Sequence, residues 1–381
     1  MKTLNIIFVA LLLLSFSSSI TSIKTKIESK SQAKTATQTN TFTQTSTKTK
    51  ITCESAIRQA AKQFMPYLYV HSGETYFPTS IESLHIKWAS DLSDSKATIS
   101  YNYSAGKKLN NKAPVYTKIQ KTKTGGYLFT YAYIYAYNAC GPKLNVKAKA
   151  TFGISLSINK DIKLCPAGVH NGDIEHTQVR VDKELNFISI TIAYHAWDKT
   201  FKKNEIEWDG THPLAYMAKG SHALYPHGGN NHYLSLWSID KTTSGKCPAI
   251  CKKWGIPYPC LKSCKYGFSS SGSFYDTTGK DSKFTGKMRV IASDAFEIKS
   301  SSLSSDEKKL LLYQGRFGEK VENKAWSDFR NTVSDVLSPL YKVCSSCKSE
   351  INKLLDEGES EYESNAPASL AKKDWWVNSG I

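Results

Sequence analysis

Gly168-Val-His-Asn-Gly-Asp-Ile-Glu-His-Thr-Gln-Val-Arg-Val181 is the stretch on which a reading of this 381-residue chain turns. Its second half alternates polar and apolar side chains, the two-residue period of a β-strand with one face buried. The strand signal covers 174–182, and if 173–181 is a strand Asp173 and Glu175 lie on one face, about 7 Å apart by the rise of an extended chain. His176 then points to the opposite face. His170 lies in a glycine-flanked turn just before, where the backbone is free to fold it back toward the carboxylates.

The same alternation recurs on both sides. Segments 97–104, 127–138, 149–158, 187–195, 213–218 and 287–292 are rich in β-branched and aromatic residues, with Gly, Asn, Asp and Pro between them. Tyr67-Leu-Tyr-Val70 is a further extended run. No long helical pattern separates these strands, which argues against a βαβ fold. The expected class is mainly β, a β-sandwich core with a short N-terminal helix and a helical C-terminal region. Ile57, Ala61 and Phe64 recur at helical spacing, predicting a helix over 54–64 that ends before Pro66. Ser304 or Ser305 is placed to cap a helix that opens with Asp306 and Glu307. Trp326, Phe329, Val333, Val336, Leu337 and Leu340 form an apolar helical stripe further on. The lone pair Trp375–Trp376 is expected to dock onto the body.

The ends and the cysteines set the compartment. Lys2, an apolar run from Leu4 to Phe16 and small residues after it read as a secretory signal over 1–21. The run is shorter than the ~20 residues of a membrane span. Residues 22–52 are Ser, Thr, Lys and Gln, too polar to offset their ordering entropy, and are expected to be disordered. The ordered domain is expected over 53–320, with a C-terminal extension over 321–381. All nine cysteines follow the signal, so disulfides are the default in an oxidising compartment, with an odd thiol left over. Cys247, Cys251, Cys260 and Cys264 could close a zinc site, but a disulfide-stapled insert over 247–264 fits a secreted chain better. Asn102-Tyr-Ser104 is an N-glycosylation sequon.

The formal charge is +17, yet only five of the 50 basic residues are Arg. Spread lysines and export argue against nucleic acid. An anionic lipid or glycan surface is the partner class left open.

One imidazole and two carboxylates at a strand edge suit a hard divalent cation. The expected ligands are His170, Asp173 and Glu175, and the expected ions Ca2+, Mg2+ or Mn2+. Spacing by itself favours a plainer alternative, a polar loop satisfied by backbone amides. His176, His195, Ser221, His222 and Asp276 are possible neighbours of the site. Ser221 beside His222 lacks the Gly-x-Ser-x-Gly setting of a nucleophile elbow.

Several of these stretches occur in a recognisable order. They are Tyr67-Leu-Tyr-Val-His-Ser-Gly-Glu-Thr-Tyr-Phe-Pro-Thr-Ser80, the 168–176 stretch, Lys219-Gly-Ser-His-Ala-Leu-Tyr-Pro-His227, Asp276-x-x-Gly279 and Gln314-Gly-Arg-Phe-Gly318. The series resembles the Vps62-like family (vacuolar protein sorting-associated protein 62). More distantly it resembles the necrosis-inducing NPP1-like secreted cytolysins, whose heptapeptide is Gly-His-Arg-His-Asp-Trp-Glu. That resemblance implies a sandwich that binds a divalent cation and a sphingolipid headgroup, with His170, Asp173 and Glu175 on the metal-ligand positions. Here Gly172 stands in place of the second His and Ile174 in place of the Trp. The expected function is a binding protein of the secretory pathway, outside the cell or in a vacuole or vesicle lumen, that recognises a polar headgroup or glycan through the cation. The alternatives are a metal-dependent hydrolase of a phosphodiester, ester or glycoside, and a membrane-perturbing protein.

Overall fold

The computed structural model describes residues 53–139, 141–152, 155–163, 169–195, 197–245 and 264–318, with seven single positions beyond them. The signal, the polar segment 22–52 and most of the Cys-rich insert lie outside the described residues. So does most of the C-terminal extension, although positions 331, 334, 335 and 338 are helical.

The expected mainly-β class is the observed one. A six-stranded sheet carries the site. It is built from β2 (Pro114–Lys121), β3 (Tyr127–Asn138), β6 (His170–Val181), β7 (Phe187–Tyr194), β8 (Trp197–Phe201) and β15 (Lys287–Ser293), in the order β15-β2-β3-β6-β7-β8. A second sheet has the order β11-β10-β1-β14, where β1 is Tyr67–Val70, β10 His212–Met217, β11 Leu224–Tyr225 and β14 Ser282–Phe284. The short β9 (Trp208–Asp209) adds to β10. A third sheet is an antiparallel ribbon, β12-β13-β4-β5, made of Gly229–Gly245, Cys264–Thr278, Lys143–Phe152 and Ser155–Lys163.

The alternation of β3 and β6 sorts their side chains onto two buried faces. Phe129, Tyr131, Tyr133, Tyr135, Val179 and Val181 face the second sheet, where Leu68, Val70, Ala215, Met217 and Phe284 meet them. Helix α1 (Cys53–Gln63) closes one end of this core through Ile57, Ala60 and Ala61. Tyr131 donates its hydroxyl proton to the Ala61 carbonyl oxygen at 2.7 Å. The other face of the sheet presents Tyr116, Ala132, Ile134 and Ile174. It is covered by the segment around Ile81–Tyr101, by helix α2 (Ser305–Leu312), and by Leu370 and Trp376. Trp376 is buried, so the second member of the terminal Trp pair docks on the body. Ser304 caps α2 reciprocally with Glu307, as the sequence predicts, and buried Glu307 also pairs with Arg289.

Two strand expectations are corrected. Segment 97–104 makes only isolated bridges, at Thr98 and Ser100. It then turns at Asn102, whose side-chain oxygen accepts from the Ser104 amide, although Ile99 and Tyr101 are buried as strand residues would be. Segment 149–158 is the end of β4 and the start of β5, a hairpin rather than one strand. The pair β12–β13 is not among the predicted strands. Its strands are rich in Ser, Asn, Thr and Gly, and the backbone ladder rather than apolar patterning defines them. Asn102 itself is exposed, as a glycosylation acceptor has to be.

No side chain fits at Gly172. The residue has φ +70°, and a Cβ there would stand 1.9 Å from the Tyr101 hydroxyl oxygen and 2.1 Å from the Phe317 carbonyl oxygen. Ile174 fills the outer core. Gly172→Ala is expected to cost about 3 kcal/mol or more, because strain in the left-handed region adds to the clash. Chemical denaturation will show it; a change within about 0.5 kcal/mol would contradict the packing described.

Candidate functional site

Asp173 and Glu175 share a face, as the alternation predicts, and that face is the inner one. Asp173 pairs in register with Tyr135, and Glu175 with Tyr133. On its other edge β6 pairs with β7 only from Thr177 to Val181. Beyond Thr177 the two strands part, and Glu175 sits at the unpaired edge. β7 instead runs toward β11, bringing Tyr194 onto Tyr225 with ring centroids 5.3 Å apart.

His222 is the hub. It occupies the turn between β10 and β11 at φ +58° and is fully buried. Its Nδ1 lies 3.0 Å from Asp173 Oδ2, and its ring stacks on Tyr135 at 4.0 Å, nearly parallel. Its Nε2 is 3.6 Å from Glu74 Oε1, an ion-pair distance too long for a hydrogen bond. Glu74 is buried in the loop after β1. One oxygen accepts from the Thr75 and Tyr76 amides, and the other from the Gly220 amide at 2.6 Å. Burial alone would depress the imidazole, but Asp173 and Glu74 outweigh it and push His222 up to about 10. Burial raises Glu74, and His222 with the Gly220 and Tyr76 amides brings it below the usual carboxylate range. The result is a buried imidazolium between two acids, joining three segments remote in sequence.

A second polar group adjoins it. Asp276, on β13 and fully buried, has Oδ2 within 2.7 Å of His195 Nε2 and accepts from the Tyr225 hydroxyl at 2.9 Å. Its Oδ1 is buried with no hydrogen-bond partner among the described residues, as are His222 Nε2 and Ser221 Oγ. Glu175 is half-buried. Burial first, then the negative charges of Asp173 and Asp276, hold its carboxyl well above the usual range. His222 and Lys373 act the other way without reversing it.

The expected ligand trio does not converge. The His170 ring turns into its own strand: Nδ1 donates to the Gly172 carbonyl oxygen at 2.6 Å, so Nε2 is the acceptor for the Asn138 amide at 3.0 Å. A carbonyl can only accept, which fixes that tautomer. Burial keeps this imidazole below its ordinary range. Among the described residues, no three His, Cys, Asp or Glu side chains are drawn together closely enough to hold a metal ion. His176 lies on the opposite face, as predicted; burial, then Lys373, push it down to about 3. His222, His195, Ser221 and Asp276, expected only as neighbours, are all at the acidic centre. Glu74, Tyr135 and Tyr225 carried no role in the sequence reading, although Glu74 lies within the first motif of the resemblance.

No family model matches the chain, and neither the curated proteins nor the solved structures contain a match to it.

The imidazolium gives a signed pH dependence. Its proton is held more tightly in the folded chain than in the unfolded one. Its stabilisation is therefore complete below about pH 6.5 and fades as pH rises toward about 10. His222→Asn, which tolerates the left-handed backbone, is expected to cost about 3–5 kcal/mol at neutral pH. Melting curves between pH 6 and 10 should fall more steeply for the wild type than for the variant. Parallel curves would contradict a buried charged imidazole.

Proposed function

We propose that the chain is a secreted binding protein whose acidic centre takes up a divalent cation and, through it, a polar headgroup or glycan. The observation that carries this reading is an excess of buried acid. Glu74 and Asp173 flank the His222 imidazole, and Asp276 lies beside them against His195. Burial and the charges of Asp173 and Asp276 hold the Glu175 carboxyl well above its usual range, and Asp276 Oδ1 has no hydrogen-bond partner among the described residues. A hard cation would relieve these conditions, since carboxylate oxygens are its preferred ligands.

The ligand set supported is Asp173, Glu175 and Asp276, not one that includes His170. A protonated His222 cannot ligate, because both its nitrogens carry hydrogen. It instead holds Asp173 in place from behind. The acids do not yet converge, so binding has to draw them together and to displace the proton on Glu175. A cation held by three protein oxygens keeps positions open for hydroxyl or phosphate oxygens of a ligand. The ordered motifs that resemble the Vps62-like and NPP1-like families support the same reading, with the His position corrected.

The test is calorimetry with Ca2+, Mg2+ and Mn2+ in two buffers that differ in ionisation enthalpy. Binding should release a proton that comes from Glu175, and Glu175→Gln should abolish both the release and the binding. The same variant should melt higher than the wild type in EDTA at neutral pH. A carboxyl whose folded pKa is raised costs stability once pH exceeds its unfolded value of about 4.3. Binding without proton release, or unchanged in Glu175→Gln, would remove the proposed ligand.

A further inference from the structure

A recess of about 840 Å³ lies at the opposite end of the inner core from the acidic centre. It is bounded by α1, by the turn that joins β6 to β7, and by the segment from Lys203 to Thr211. Glu175 and the end of β6 at Val181 are about 20 Å apart by the rise of a strand, so the recess shares no residue with the acidic centre.

Its chemistry is specific. The floor is aromatic: Phe64 and Phe187 have ring centroids 5.7 Å apart, and Phe187 meets Trp208 edge to face at 4.8 Å. The indole is fixed in orientation, because its Nε1 donates to the Lys203 carbonyl oxygen at 2.9 Å. On α1 the residues facing the recess are Ala56, Gln59, Ala60 and Gln63, one helical face. The alanines leave room, and the two glutamine amides flank it. Neither amide has a hydrogen-bond partner among the described residues. Asn186, on the facing wall, is held in place through its amide nitrogen, which donates to Asp182 Oδ2 at 3.0 Å, so its carbonyl oxygen stays available.

We infer that this recess binds the ring of a neutral saccharide, and does so without a cation. A volume of this size is in the range of small-ligand sites. A sugar ring has an apolar C–H face, which suits the rigid aromatic floor. It also has a rim of hydroxyl groups, each both donor and acceptor, and side-chain amides offer donor and acceptor together. The walls carry one acidic and one basic side chain, Glu184 and Lys203, and the Lys203 ammonium lies 5.6 Å from the centre of the Trp208 ring. A fatty chain would leave the amides and these charges unmatched, at a cost in affinity.

The full secreted chain should be titrated in EDTA with neutral sugars, namely glucose, galactose, mannose, N-acetylglucosamine and their disaccharides. Calorimetry and tryptophan emission are the readouts. At least one sugar should bind with Kd tighter than about 10 mM. Trp208→Phe should lose the emission change and weaken binding. Gln63→Ala, on an exposed helical face, should weaken binding severalfold with an unchanged melting temperature. Absence of binding across the panel would overturn the proposal, and so would binding that requires added Ca2+ or is indifferent to Gln63→Ala. Binding of detergent or fatty acid alone would overturn it too. Because EDTA is present throughout, failure here is separable from failure of the cation reading.

Discussion

The arrangement at the heart of this protein depends on one buried ion pair network, His222 between Asp173 and Glu74. Taking three ionisable groups out of water is costly, and the mutual attraction offsets that cost only when the remaining hydrogen bonds are made. Here they are made on one side: Glu74 takes three backbone amides, and the imidazole lies flat on Tyr135. The network ties the loop after β1, the inner face of β6 and the β10–β11 turn into one unit. It is therefore structural before it is functional. It fixes Asp173, whose β6 neighbour Glu175 stands at the edge where the strand loses its second partner.

That edge explains how a site arises inside a sandwich. Most of β6 is bonded on both sides and its inward residues are core. Where β7 departs, β6 keeps only β3 as a strand partner among the described residues. The sequence places acids at that point, then a buried Thr177, then the core residues Val179 and Val181 on the same face. Asp276 arrives from the ribbon and His195 from the end of β7, so three sheets supply groups to one locus.

How far this was legible varied by element. The period-two pattern of β3, β6, β7, β10 and β15 named those strands, because each has one or two buried faces that select apolar residues. The ribbon β12–β13 was not read from the sequence: Ser, Asn, Thr and Gly interrupt its apolar residues, and the backbone ladders of its four-stranded sheet define it. The shared face of Asp173 and Glu175 followed from strand geometry alone. The role of His170 did not, because glycine neighbours leave the ring direction open. The actual choice was made by two short-range acceptors and donors, Gly172 O and Asn138. Glu74 was unreadable for the opposite reason. Besides the two amides that follow it, its partners Gly220 and His222 lie 146 or more residues away, and nothing local announces them. Gly172 is constrained by structure: the backbone conformation and the Phe317 carbonyl leave no room for a side chain.

The account rests most directly on the charge state of one ring. Nitrogen chemical shifts of labelled histidine, followed across pH in the intact protein, report both His222 nitrogens. Both should carry protons at neutral pH and remain so until the solution nears pH 10. A His222 that titrates at or below the ordinary histidine value of about 6.5 would mean that Asp173 and Glu74 do not hold a cationic ring between them. The acidic centre would then have no organising charge.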